Sequence, residues 1–283
     1  MFTFVRHYLL SLQFFTRIPV TGRLAEWVGY SPAMLRASAG HFPGVGVLVG
    51  ALVAACTAAL LVALPPGPFA PLVAAVLGTV FSVMLTGAFH EDGLADIADG
   101  LGGSSERNRA LEIMKDSRVG AFGALALVLA LVSKVSLLAL IGAVSVQWMV
   151  LAVFAAHVVS RTWPLLLIRL MPHVGDAAGS KSKPLADQIS GAALVTAFLW
   201  CFSALALVGC AQEAIKTIAT AGSVGSVGFD PAPWLAAIAA SGLAFGYMGR
   251  LLHRRLQGFT GDGLGATQQV CEIAFYLGLA LAL

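Results

Sequence analysis

Charge is what this chain has least of. Only 11% of its 283 residues are Asp, Glu, Lys or Arg, against about a quarter in soluble domains, and residues 37–89 contain none of the four. A soluble surface cannot be built from that composition. A hydrophobic share of 58% and a mean hydropathy of +0.87 read instead as an all-α, polytopic integral membrane bundle, solvated by a lipid bilayer. The net charge of +3 is too small and too dispersed for a nucleic-acid partner, and no basic patch is interleaved with aromatics. Cys56, Cys201, Cys210 and Cys271 fall in apolar stretches without CxxC or ligand-like spacing, which excludes a disulfide framework and reads as buried packing. The N-terminal MFTFVRHYLLSLQFFTRIPV lacks a small-residue cleavage site, and its Arg6 and Arg17 bracket a short apolar run. It is expected to form an interfacial amphipathic helix.

What is present is a series of apolar runs. Stretches near 43–64, 70–89, 119–141, 143–163, 190–210, 232–249 and 264–283 approach the roughly 20 residues that a bilayer core demands, so about seven transmembrane helices are expected. With the N-terminus inside, 15 of the 17 Lys and Arg lie at or near the cytoplasmic face, leaving Lys134 and Lys216 toward the other side. That bias orients the chain in an inner, cytoplasmic membrane. Residues 1–283 read as one domain, with an interfacial segment at 1–42 and cytoplasmic regions at 90–118 and 250–263. WPLLLIRL after Arg161 extends the fourth span, kinked by Pro164, and Arg161 then points into the bundle. Gly46 with Gly50, and Gly242 with Gly246, have the small-xxx-small spacing of close helix packing.

The charge that the spans lack gathers afterwards. Seven of the fourteen acidic residues lie between Glu91 and Asp116. In HEDGLADIADGLGG, residues 90–103, offsets of four and seven place Asp92, Asp96 and Asp99 within about 60° of one helix circumference. Such carboxylates repel each other unless a cation sits among them, and oxygen donors of this kind suit Mg²⁺. Glu91 falls off that face and reads as a solvated neighbour. His90 stands open as substrate contact, proton carrier or polar anchor.

Residues 104–123 carry Arg107, Arg109, Lys115 and Arg118 among Glu106, Glu112 and Asp116. Two readings fit: a salt-bridged exposed helix, or Lys115 and Arg118 on phosphate oxygens with Asp116 as a metal ligand or base. Near the C-terminus, GFTGDGLGATQQVCE surrounds Asp262 with glycines, so Asp262 is a helix cap or a ligand contact. Its DGL repeats that of 92–94, slight evidence for duplication. GDAAGSKS at 175–182 has the wrong spacing for a phosphate loop.

Taken together, QFFTRIPV at 13–20, HEDGLADIADGLGG at 90–103, LEIMKDSRVGAFG at 111–123, Ser160 with Arg161, and FTGDGLGATQQ at 259–269 resemble the adenosylcobinamide-GDP ribazoletransferase family, also called cobalamin synthase or cobalamin-5′-phosphate synthase. The resemblance spans almost the whole chain, with weaker matches at 171–190 and 211–233. It implies a Mg²⁺-dependent membrane transferase that joins adenosylcobinamide-GDP to α-ribazole or its 5′-phosphate, releases GMP and completes the nucleotide loop of cobalamin.

On that basis Asp92, Asp96 and Asp99 are the expected metal ligands. His90, Asp116 and the same three aspartates are the catalytic candidates. Lys115, Arg118, Arg161 and Asp262 are the candidates for substrate contact, and the nucleophile is placed on the 5′-hydroxyl or 5′-phosphate of the acceptor. The logic parallels the CDP-alcohol phosphotransferases, whose AR-containing spacing is absent. An oligomer, or association with other enzymes of the pathway, stays open. The rival class is a cation- or proton-coupled transporter using intramembrane carboxylates. Against it, the acids gather at one boundary, whereas transport sites usually lie near the midplane.

Overall fold

The computed structural model describes residues 2–175, 188–219 and 230–283. Most of the phosphate-loop look-alike at 175–182, and much of the weakly matching 171–190 and 211–233, lies outside them. Among the described residues the chain is helical, and its one β pairing is an isolated bridge between His173 and Phe259.

The N-terminal segment folds as α1 (Phe2–Phe15), α2 (Gly22–Val28) and α3 (Pro32–Ser38). α1 buries Leu10, Leu12 and Phe15 and leaves Phe2, Phe4 and Val5 exposed. Ser31 caps α3 by accepting from Met34 N–H at 3.1 Å, and a 3₁₀ turn leads into α4 (Phe42–Ala63), which has Pro43 in its first turn. The Pro-rich turn after Leu64 separates α4 from α5 (Ala70–Thr86). There follow α6 (Phe89–Gly103), α7 (Arg107–Ile113), α8 (Ala121–Val144), α9 (Val146–Leu170), α10 (Gly191–Ala219), α11 (Ala232–Leu256) and α12 (Gly261–Ala282).

Five stretches are long and apolar enough to cross a membrane: Pro32–Ala63, α8, α9, α10 and α11. α5 and α6 make a sixth if that pair, bent by 90°, counts as one. The expected seventh, 264–283, is α12. Its Thr267, Gln268, Gln269 and Glu272 lower its hydropathy, and all four are buried inside the bundle. A count of about seven is thus approximate because one helix hides polar side chains that composition alone treats as exposed.

α9 is the axis of the bundle: 78% of its apolar window is buried, against 17% for α8, which faces outward. α4 lies on α9 through the expected glycines. A Cβ on Gly50 would stand 2.9 Å from the Phe154 carbonyl oxygen, and one on Gly46 would strike the His157 carbonyl. The second pair is different. Gly242 makes only ordinary contact with Trp163, and nothing lies within 4 Å of a Cβ on Gly246, so that spacing does not mark close packing. The cysteines are free; Cys201 and Cys271 are buried, Cys56 is partly so, and Cys210 is exposed, contrary to the expectation for all four.

Candidate active site at the seam of α6 and α12

The acidic helix begins at a backbone reversal. Gly87 ends α5 in the left-handed region (φ 68°), and Ala88 follows it there (φ 59°). Such a conformation costs a residue bearing a Cβ roughly 1–2 kcal/mol, so the surrounding packing must hold it. The reversal turns α6 by 90° away from α5 and lays it across one end of the bundle, against the first turns of α8 and α12. The only other non-glycine residue of positive φ among those described is Gln257 (φ 59°), at the turn that leads into α12.

The two Asp-Gly-Leu segments meet at this crossing. A Cβ on Gly93 would lie 2.7 Å from the carbonyl oxygen of Asp262 and 3.0 Å from its Cα; only glycine lets the first turn of α12 settle there. Thr260 caps α12, accepting from Gly263 N–H at 3.1 Å, which leaves Asp262 free of the capping role. Asp92 is exposed, Asp96 and Asp262 half-buried. Burial, then the charges of Asp262, Asp92 and Asp99, push the Asp96 carboxyl up to about 7. The sequence placed three carboxylates on one helix face. The fold adds a fourth from the other end of the chain.

Asp99 has partners within the protein. It is 8% exposed, and its two oxygens accept from Gly120 N–H at 2.7 Å and Gly123 N–H at 2.8 Å. It therefore holds the start of α8, where free amides and the helix dipole favour an anion. Among the described residues no three His, Cys, Asp or Glu side chains are grouped so as to hold an ion by themselves.

Beyond Asp99 lies an open cleft of about 1000 Å³, counted out to its mouth, lined among others by Arg109, Glu112, Asp116 and Arg118. Arg118 donates from Nε to Asp116 Oδ1 at 2.9 Å and from Nη2 to Oδ2 at 2.5 Å. That pairing holds the Asp116 carboxyl down at about 2, making it a poor proton acceptor but a good anchor for the guanidinium. Arg109 pairs with Glu112 at 2.9 Å, both exposed, so the salt-bridged reading of this segment is present beside the cleft. Lys115 is exposed near it. Two arginine contacts fasten the segment to α11: Arg107 Nε donates to the Leu256 carbonyl at 2.7 Å, and Arg255 Nη2 to the Leu101 and Ser104 carbonyls at 3.0 and 2.6 Å.

A family model described as cobalamin-5-phosphate synthase matches residues 7–280. The chain belongs to that family. A protein of Albidiferax ferrireducens named adenosylcobinamide-GDP ribazoletransferase is 71% identical over 99% of both chains. One of a Polaromonas species with the same name is 60% identical over 99% of this chain and 98% of its own, and one of Vibrio cholerae is 38% identical over 95% and 91%. No solved structure matches. Its function is accordingly that of a transferase in the step that assembles the nucleotide loop of cobalamin, and nothing supports the transporter alternative.

A second set of charged groups is sealed inside the bundle. Arg161 is 1% exposed; its Nη1 donates to the His157 carbonyl at 2.9 Å and meets His157 Nδ1 at 2.8 Å. The acids whose charge it feels are Glu272 and Glu91. Arg161 points into the bundle as expected, and it does not line the open cleft. Glu91 is buried, not solvated, and accepts from Gln269 Nε2 at 3.0 Å. Gln268 continues the chain of bonds to Ser160 and to Glu272, each at 2.9 Å. Glu272 closes it with Tyr276 OH at 3.1 Å and Lys134 Nζ at 2.7 Å.

Lys134 is therefore a core residue and not one of the opposite face. Sequence reasoning missed Glu272, Gln268 and Gln269. A signal existed: Lys134 and Glu272 are lone charges of opposite sign in apolar runs, and such charges seek each other.

Proposed function

We propose that this membrane transferase joins adenosylcobinamide-GDP to α-ribazole or its 5′-phosphate at the α6–α12 seam, on the cytoplasmic face of the inner membrane. The observation that carries this reading is the docking of Gly93 on Asp262, which gathers Asp92, Asp96 and Asp262 beside a cleft edged by Arg118. The substrates follow from the names of the relatives, and the orientation from the bias of Lys and Arg toward the segments on that face of the membrane.

The donor set suits Mg²⁺. This ion usually takes one or two protein carboxylates and completes its shell with substrate phosphates and water, and the crowding that lifts Asp96 to about 7 is relieved by a cation. Asp92 and Asp96, with Asp262 across the seam, would hold it. When bound, the ion supplies neutralisation of the pyrophosphate charge that grows as GMP departs.

The protein's own groups do the rest. Arg118, set in place by Asp116, and Lys115 bind phosphate oxygens at the cleft. Asp99 fixes the first turn of α8 under them. A product called cobalamin-5-phosphate keeps its 5-phosphate, so the acceptor's 5′ position does not react and the earlier expectation of a 5′ nucleophile is replaced. Another ribose hydroxyl forms the new P–O bond to the corrinoid-side phosphorus. The P–O bond to GMP breaks, GMP leaves with the electron pair, and a carboxylate of the cluster takes the hydroxyl proton.

The test is GMP release by the full chain in liposomes. Release should require adenosylcobinamide-GDP, α-ribazole and Mg²⁺ together, and Asp96→Asn should lower kcat/KM by about a hundred-fold or more. Undiminished turnover in Asp96→Asn, or in the presence of a chelator, overturns the site.

A further inference from the structure

Of the open cleft beyond Asp99, about 530 Å³ admits water. That is within the range of small-ligand sites and more than phosphates at Arg118 would fill. Its walls also carry a flat ring and an ion pair that the transfer chemistry leaves unused. The ring is Phe122, in the first turn of α8. A Cβ on Gly102 would stand 2.5 Å from its Cγ and 2.8 Å from both Cδ atoms, so the ring lies flat on the backbone of α6 where only glycine admits it. The bonds from Gly120 and Gly123 N–H to Asp99 bracket Phe122 in sequence and fix its place. The residue is nonetheless 51% exposed.

The ion pair is Arg109 with Glu112, on α7. Arg109 Nη1 donates to Glu112 Oε2 at 2.9 Å, both side chains are well exposed, and both line the cleft. Such a pair adds little to stability. It does set a donor beside an acceptor, the further N–H groups of the guanidinium next to the lone pairs of the carboxylate. The cleft adjoins the acidic cluster, because Asp99 forms part of its wall and Asp96 stands one turn earlier on the same side of α6. His90 does not share it. Nine residues from Asp99, it falls on the opposite side of α6 and is 2% exposed.

We propose that this cleft seats the guanosine end of the activated corrinoid, its base stacked on Phe122 and read by Arg109 and Glu112. The inference rests on the transferase reading above and places that reaction's leaving group. Guanine presents an acceptor, O6, beside a donor, N1–H; adenine presents the reverse, N6–H beside an N1 lone pair. Arg109 donating to O6 while Glu112 accepts from N1–H meets the first pattern. The second sets donor against donor and carboxylate against lone pair. The benzimidazole of the acceptor riboside has no N–H, so Glu112 gains nothing from it. With the base on Phe122, the nucleotide's phosphates lie between Arg118 and the α6–α12 seam. Arg109 and Glu112 are then specificity residues in contact with substrate.

The test gives the full chain in liposomes the activated corrinoid carrying GDP, IDP or ADP, with α-ribazole as acceptor, and follows release of the nucleoside monophosphate. Wild-type protein should favour the GDP form over the ADP form by about ten-fold or more in kcat/KM, the worth of one paired contact to a base edge. The IDP form keeps O6 and N1–H and should be used nearly as well as the GDP form. Glu112→Gln, whose amide can turn to suit adenine, should lose the preference while keeping the wild-type melting temperature, since the pair is exposed. Phe122→Ala should raise the KM for the GDP form by about ten-fold and leave that for α-ribazole unmoved, and Phe122→Tyr should restore it. Equal use of the GDP and ADP forms by wild type, an IDP form used as poorly as the ADP form, or a preference unchanged in Glu112→Gln overturns the proposal. So does a Phe122→Ala that raises the KM for α-ribazole instead, which would give the ring to the acceptor's base. Should Phe122→Ala not fold, Phe122→Leu, which fills the place without a flat face, decides in its stead. Wild-type protein that releases no GMP with α-ribazole would instead overturn the transferase reading itself.

Discussion

The Cβ that Gly93 lacks would stand 2.7 Å from the carbonyl oxygen of Asp262, so the two Asp-Gly-Leu segments touch through backbone. Gly93→Ala must push α12 off α6. Overpacking of this kind costs about 1–3 kcal/mol, and the shift moves Asp262 away from Asp96. Thermal unfolding in detergent should fall, and GMP release should fall further than the stability change explains. Gly246→Ala is the control. With nothing within 4 Å of the added methyl, in a helix interior, it should be neutral or stabilise by about 0.5–1 kcal/mol.

Asp96 and Asp99 are three residues apart and should answer differently to the same change. Asp96→Asn removes a carboxyl crowded by three others, which costs activity and leaves the melting temperature unchanged or higher. Asp99→Asn removes one of the two acceptors that hold Gly120 and Gly123. It leaves a buried amide unsatisfied and should cost about 1–3 kcal/mol. Equal melting temperatures for Asp99→Asn and wild type would show that α8 starts without it.

These contrasts mark how far the sequence reaches. The acidic face of α6 was legible because offsets of four and seven are local geometry, and so was the inward turn of Arg161. Asp99 was not, since its partners arrive only after the chain has passed through α7 and returned. The pairing of 92–94 with 262–264 was visible as a repeat but not as a contact, because nothing in either segment says which helices cross. Glu91 was misjudged for a related reason: its partner, Gln269, lies on a helix whose polar residues were read as a weak span.

The ion pair of Lys134 with Glu272 is 2.7 Å long, with both side chains at most 3% exposed. Removing one partner leaves the other charged and desolvated, so Lys134→Met and Glu272→Gln should each destabilise by about 3–5 kcal/mol, while the double variant should recover much of that loss. A double-mutant cycle by thermal unfolding measures the coupling. Additive losses would mean that the two charges do not depend on each other.

Orientation can be read by labelling, because the fold assigns loops to ends without any membrane. The 104–106 turn lies against the C-terminus of α11 through Arg255 and Ser104, so it shares an end with His253; the turn at Gly67, at the far end of α4, lies opposite. Ser105, His253 and Gly67 are all exposed, and a Cβ on Gly67 meets nothing within 4 Å. In right-side-out spheroplasts, an impermeant maleimide should label Gly67→Cys at once, with wild-type protein as background. It should reach Ser105→Cys and His253→Cys only after the membrane is opened. Labelling of Ser105→Cys from outside would overturn the proposed cytoplasmic placement of the acidic seam. Labelling of Ser105→Cys and His253→Cys from different sides would contradict the helix order, since α6 and the α11–α12 turn could not then share the seam that Gly93 and Asp262 form.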